Sequence, residues 1–184
     1  GRAPIPDKIR AKADKLFAKA VRGQGPDSAE LHIWDLGFEA TPDLSDFPNT
    51  IDLSIGYNDI TVLDGLSAVP KVQKLSLESC SSLVAISDEI GQLTELRELN
   101  LSSCSNLLTL PETLRGHAKL EVLKLFRCPV ALDIEMLASF PNLKEVILPR
   151  GFNIDPDGST PVPESSAAMA ALGDRLRAMR PDMI

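Results

Sequence analysis

Long apolar runs are missing from this 184-residue chain, and so are most aromatic side chains, metal-binding spacings and phosphate-binding loops. No stretch approaches the ~18 consecutive apolar residues of a membrane-spanning helix, so a soluble chain without a membrane partner is expected. Aromatic residues make up 4% of the chain against 43% hydrophobic, so the core must be built from Leu, Ile, Val and Ala. Three cysteines are an odd number and discourage a complete disulfide framework. Neither Cys-x-x-Cys nor Cys-x-x-His occurs, which removes the usual zinc spacings. Gly56, Gly65 and Gly91 stand alone as turn glycines rather than as a phosphate-cradling loop. Acidic side chains outnumber basic ones 26 to 19, and the net charge of -7 argues against nucleic acid as a partner.

What is present is a repeat. Leu96-Arg97-Glu98-Leu99-Asn100-Leu101-Ser102-Ser103-Cys104 returns as Leu120 to Cys128 and occurs upstream as Val72 to Cys80. Weaker copies begin at Thr50, with Leu53, Ile55 and Asn58, and at Ser28, with Leu31 and Ile33. A last one begins at Leu143, with Val146, Leu148 and Gly151. The start points 28, 50, 72, 96, 120 and 143 lie 22 to 24 residues apart, a period that means stacked units.

The pattern Leu-x-x-Leu-x-Leu-x-x-Asn/Cys-x-x-Leu resembles the leucine-rich-repeat family over about two thirds of the chain, most strongly from Val72 to Leu148. Phrases such as Leu110-Pro111-Glu112 and Ile90-Gly91-Gln92-Leu93 resemble repeats of plant intracellular immune receptors and of effectors injected by plant-pathogenic bacteria. The repeats are longer than the ~20-residue units of enteric effector ubiquitin ligases and depart from that subtype. The resemblance implies an α/β repeat fold, a curved solenoid of about six turns. Its short parallel strands would lie ~4.8 Å apart on the concave face. It also implies inward-facing apolar residues on the return segments: Leu83, Ile86, Ile90 and Leu93 in one unit, Leu107, Leu110 and Leu114 in the next.

The ends depart from the repeat. Residues 6–21 carry Ile9, Ala13, Leu16, Phe17, Ala20 and Val21 at helical spacing, and Gly23-Gln24-Gly25-Pro26 stops the pattern. Pro149 to Pro163, rich in Pro, Gly and Asp, reads as a loop, and Ser165 to Met179 as a helix. The expected organisation is a capping helix within 1–27, repeats over 28–151, a loop or linker over 152–163 and a helix over 164–184. That last helix would cap the far end or begin a further domain.

Cys80, Cys104 and Cys128 share the ninth position of consecutive units, with Asn58 in the same place one unit earlier. In this family Asn or Cys there forms a structural ladder, which implies buried, unreactive thiols and a reducing intracellular compartment. A cysteine hydrolase using Cys104 or Cys128 is the enzymatic alternative. His32 lies two units before Cys80, ~10 Å along the stack, and His117 falls on the return side, so no base and nucleophile assemble. No catalytic residue, metal site or cofactor is expected.

Side chains flanking the core leucines must face solvent. Across the units these outward columns place Trp34, Tyr57, Glu78, Asn100, Lys124, Phe126, Arg127 and Arg150 where a protein partner would meet the concave face. Trp34 has two possible places, beneath the N-terminal helix or on that face. Charge is uneven: residues 1–27 carry +4, residues 28–71 carry -7, and the two later segments carry -2 each. A basic helix beside acidic units suggests electrostatic docking of that helix, with a membrane- or nucleic-acid-binding helix as the rival. Two settings follow from the resemblance for a monomeric protein-recognition module. One is the recognition part of a bacterial effector acting in host cytoplasm, joined to a separate ubiquitin-ligase module. The other is a fragment of an immune receptor or an intracellular adaptor.

Overall fold

In the computed structural model, residues 4–131, 134–149, 152–153, 174 and 178 are described. The chain begins with α1 (Asp7–Ala20), started by Pro6 and followed by Gly23 at φ +90°, a conformation open to glycine at no steric cost. Three-residue strands then recur: β1 (Glu30–His32) and β2 (Asp52–Ser54). A short strand on the return side, β3 (Val62–Leu63), precedes β4 (Lys74–Ser76), and β5 (Ala85–Ile86) precedes β6 (Glu98–Asn100). The series ends with β7 (Val122–Lys124), α2 (Ile134–Ser139), β8 (Glu145–Leu148) and β9 (Phe152–Asn153).

Seven strands form one sheet in the order β1-β2-β4-β6-β7-β8-β9, parallel up to β8 and antiparallel at β9. The register aligns Leu31, Leu53, Leu75, Leu99, Leu123 and Val146 across the sheet, all of them buried. A one-residue slip in any strand would turn these side chains to solvent, so the Leu-x-Leu pattern dictates the pairing. β3 and β5 make a second, two-stranded parallel sheet among the return segments. Segment 152–163 is expected to be a loop, yet β9 lies at its start. Its backbone pairs Phe152 with Leu148 and Asn153 with Ile147. The remainder of that segment, and most of 164–184, lie outside the described residues.

β1, β2, β4, β6 and β7 each stop after three residues because the chain soon turns left-handed. Asp35, Tyr57, Ser79, Ser103 and Arg127 all have φ between 53° and 62°. Non-glycine residues adopt this conformation at a steric cost of roughly 1–2 kcal/mol. The turn is held by continuing the ladder: the Tyr57 amide donates to the Glu78 carbonyl at 2.8 Å, and that of Ser79 to the Ser102 carbonyl at 2.8 Å. Gly56 sits where this turn meets the next unit, and a Cβ there would lie 2.5 Å from the Glu78 carbonyl oxygen.

The returns close the units with 3₁₀ turns at Leu66–Ala68, Asp88–Gln92 and Glu112–Leu114, and with α2 in the last complete return. Their apolar residues form further columns: Leu66, Ile90, Leu114 and Leu137, then Val69, Leu93, His117 and Phe140, all buried. Leu110, expected inward, is only partly buried. His117 replaces an apolar residue in its column, and its Nε2 lies 2.6 Å from the Leu93 carbonyl, so the ring donates there. At the first unit, α1 buries Ala13 and Phe17, with Phe17 edge-on to Phe47 at 5.4 Å between ring centroids. Arg10 bonds Asp64 at 2.6 Å and Lys12 pairs with Glu39, so this basic helix meets the acidic returns.

Candidate functional site

The exposed side of the large sheet carries two outward columns in register. One runs Glu30, Asp52, Lys74, Glu98, Val122 and Glu145; the other runs His32, Ser54, Ser76, Asn100, Lys124 and Ile147. Beyond the strands, Trp34 and Tyr57 are 55% and 54% exposed. Trp34 therefore does not lie beneath α1. It lines a shallow depression of about 370 Å³ together with His32, Asp52, Ser54, Lys74 and Asn100.

Polar contacts tie neighbouring units along this face. Asn100 Nδ2 donates to Glu78 Oε2 at 3.2 Å, and its Oδ1 accepts from the Ser102 amide at 3.0 Å. Lys124 Nζ donates to Glu98 Oε1 at 2.6 Å. At the far end the Arg127 guanidinium stands 5.0 Å from the centre of the Phe126 ring, a cation–π arrangement. Trp34 and Asn100 are brought together in the depression; Phe126 and Arg127 form a separate cluster about four strand spacings, roughly 19 Å, away. Arg150 lies outside the described residues. His32, Asp52, Lys74 and Glu98 also border the depression, and the columns of the repeat were the signal that could have singled them out.

Behind the face runs the ninth-position ladder. Asn58 is buried and makes five hydrogen bonds. Its Oδ1 accepts from the amides of Leu36 at 3.0 Å and Phe38 at 3.1 Å. Its Nδ2 donates to the carbonyls of Ile33, Ile55 and Gly56 at 2.9–3.1 Å. Cys80 donates to the Ile55 carbonyl at 3.5 Å and Cys104 to that of Leu77 at 3.2 Å, which are the places matching Ile33 one and two units on. Cys128 instead reaches the Leu107 carbonyl at 3.9 Å. All three thiols are free and fully buried, and burial raises the pKa of each, that of Cys104 by a wide margin. A buried, protonated thiol is a poor nucleophile, which argues against a cysteine hydrolase at Cys104 or Cys128. Among the described residues no three His, Cys, Asp or Glu side chains group to hold a metal ion, and no helix is long and apolar enough to cross a membrane.

Stacked short parallel strands, 3₁₀ returns and an Asn/Cys ladder define a leucine-rich-repeat solenoid with an exposed strand face. Among solved structures the chain is similar to the leucine-rich repeat domain of the type III effector XopL. The two are 14% identical over 81% of this chain and 73% of that one, with a TM-score of 0.55, which shows the fold. Internalin C2 from Listeria monocytogenes is 18% identical over 78% of this chain and 93% of its own, but the TM-score of 0.29 carries no weight. No protein-family model matches the chain, and no curated protein matches it in sequence.

Proposed function

We propose that this chain is a protein-recognition module that captures its partner on the strand face, the concave side of such a solenoid. The observation that carries this reading is the half-exposed Trp34, the chain's one Trp, which shares a depression with the strand residues Asp52, Ser54, Lys74 and Asn100. Tyr57, the chain's one Tyr, is equally exposed in the turn after β2. Trp, Tyr and Arg are the side chains that dominate protein interfaces, because each places a large rigid surface or a fork of donors against a partner. The likeness to the XopL domain supports an effector setting, in which the module works inside a host cell. Three free thiols, all shielded, suit a reducing compartment.

The test is capture from host lysate by the chain and by Trp34→Ala, Tyr57→Ala, Phe126→Ala and Arg127→Ala, each substituted singly. Loss of the same protein in at least one of these, but not in Leu108→Ala on the exposed return side, is the expected result. Unchanged capture by all four overturns the strand-face assignment.

A further inference from the structure

Residues 28–71 hold eight acidic side chains and one basic one. Five of these carboxylates fall into two contrasting groups. On the return side, Asp64 and Glu39 are met by Arg10 and Lys12 of α1. On the strand side, Glu30, Asp35 and Asp52 have no such answer from the helix. Asp52 has His32 Nε2 at 3.5 Å, while Glu30 and Asp35 are exposed. Of the three, Asp52 lines the depression with Trp34, and Glu30 is its neighbour in register on β1. Lys74 and Glu98 also line the depression, and Glu98 is paired with Lys124, so unpaired negative charge is concentrated toward β1 and β2.

A half-exposed indole that shares a depression with the Asp52 carboxylate, with exposed Glu30 next along the sheet, has a specific complement. A guanidinium or ammonium lying on the ring gains from its quadrupole, and a neighbouring carboxylate adds a charge-assisted hydrogen bond. Neutral or acidic side chains gain neither. At about 370 Å³ the depression is at the small end of ligand pockets, ~300–1,000 Å³, and it is shallow. That suits one long side chain reaching in from a bound protein better than an enclosed small molecule.

We infer that the β1–β2 end of this face receives a basic segment of a protein partner, with one Lys or Arg side chain against Trp34 and beside Asp52 and Glu30. The inference rests on the strand face being the recognition surface and adds the chemistry of what it recognises. Lys74 borders the site and repels such a cation, which gives the proposal a sign that a merely apolar patch would lack.

The single tryptophan makes the site directly readable, because emission from the whole chain reports on Trp34. The probes are a ten-residue peptide of alternating Arg and Ser and two counterparts with Gln or Glu in place of Arg. The Arg peptide is expected to change Trp34 emission saturably, with affinity falling as salt is raised. Glu30→Gln and Asp52→Asn are each expected to weaken it about three- to tenfold, and Lys74→Gln to tighten it about two- to threefold. Asp88→Asn makes the same change in net charge on the exposed return side, and is expected to leave affinity unchanged. An equal response to the Gln peptide, an equal loss in Asp88→Asn and Asp52→Asn, or no response to any peptide overturns the cation site. Each of those results leaves the recognition reading to be judged by lysate capture, so the two fail separately.

Discussion

Asn58 Nδ2 donates to the carbonyl of Ile33, one unit upstream, at 3.0 Å, while its Oδ1 holds the Leu36 and Phe38 amides of that same unit. One buried side chain therefore closes the turn of its neighbour as well as its own. In the next two units a cysteine makes a single weaker contact to the matching carbonyl. A thiol suffices there because it packs as a small apolar group beside the continuing backbone ladder.

Replacing Asn58 with Ala strands the Leu36 and Phe38 amides and the Ile33 carbonyl, while the Gly56 and Ile55 carbonyls keep the Asp35 amide and the Cys80 thiol. The expected loss is about 2–4 kcal/mol of folding stability, a large part of a marginal total. Urea unfolding checks this, provided the slope stays constant while the midpoint falls.

The left-handed turn residues predict an order of stability rather than one value. Ser103 at φ 62° is strained, so Ser103→Gly is expected to stabilise by up to about 1 kcal/mol, and Ser103→Val to destabilise by about 1–2 kcal/mol. Gly56→Ala runs the other way for a different reason. The new Cβ meets the Glu78 carbonyl, a backbone atom that cannot swing aside, so a lowered thermal midpoint is expected. Thermal melts of the three variants test the ranking.

The buried thiols set an alkaline limit. Their pKa values are raised in the folded state by desolvation, so above ~8.5 the unfolded chain loses thiol protons that the folded chain keeps. Stability is unaffected below that pH and falls as pH rises through it, by at most ~1.4 kcal/mol per pH unit for each thiol. Urea midpoints at pH 7.5 and 9.5, compared with those of Cys104→Ala, are expected to show a smaller drop in the variant. Native thiols should also resist alkylation until the protein unfolds.

The docking of α1 is testable through Phe17. Its ring is buried against Phe47, and Phe17→Ala is expected to cost about 3–4 kcal/mol. Arg10→Ala removes a half-exposed ion pair with Asp64 and is expected to cost no more than about 1 kcal/mol. Denaturant midpoints of the two variants compare apolar packing with charge in holding the helix.

Much of the architecture was legible because the repeat is carried by local spacing. Leu-x-Leu every 22 to 24 residues dictates which side chains share a column, since parallel pairing in register follows from burying all of them at once. The same alternation exposed the outward columns from which Trp34, Tyr57, Lys124 and Arg127 were read. Other features had no such signal. Nothing in Ser79 or Ser103 marks a left-handed residue, because the adjoining unit's carbonyls hold that turn. β3 and β5 depend on returns from successive units lying side by side, and β9 on the chain doubling back after β8. The exposure of Trp34, and its meeting with Asp52, Ser76 and Asn100 in one depression, also waited for the stack. Composition and period alone thus determined a Leu-based solenoid with a polar strand face. Only the tertiary structure decided which carboxylates α1 neutralises and which stay exposed on the strand side, because charge pairing depends on distances across units that linear spacing does not contain.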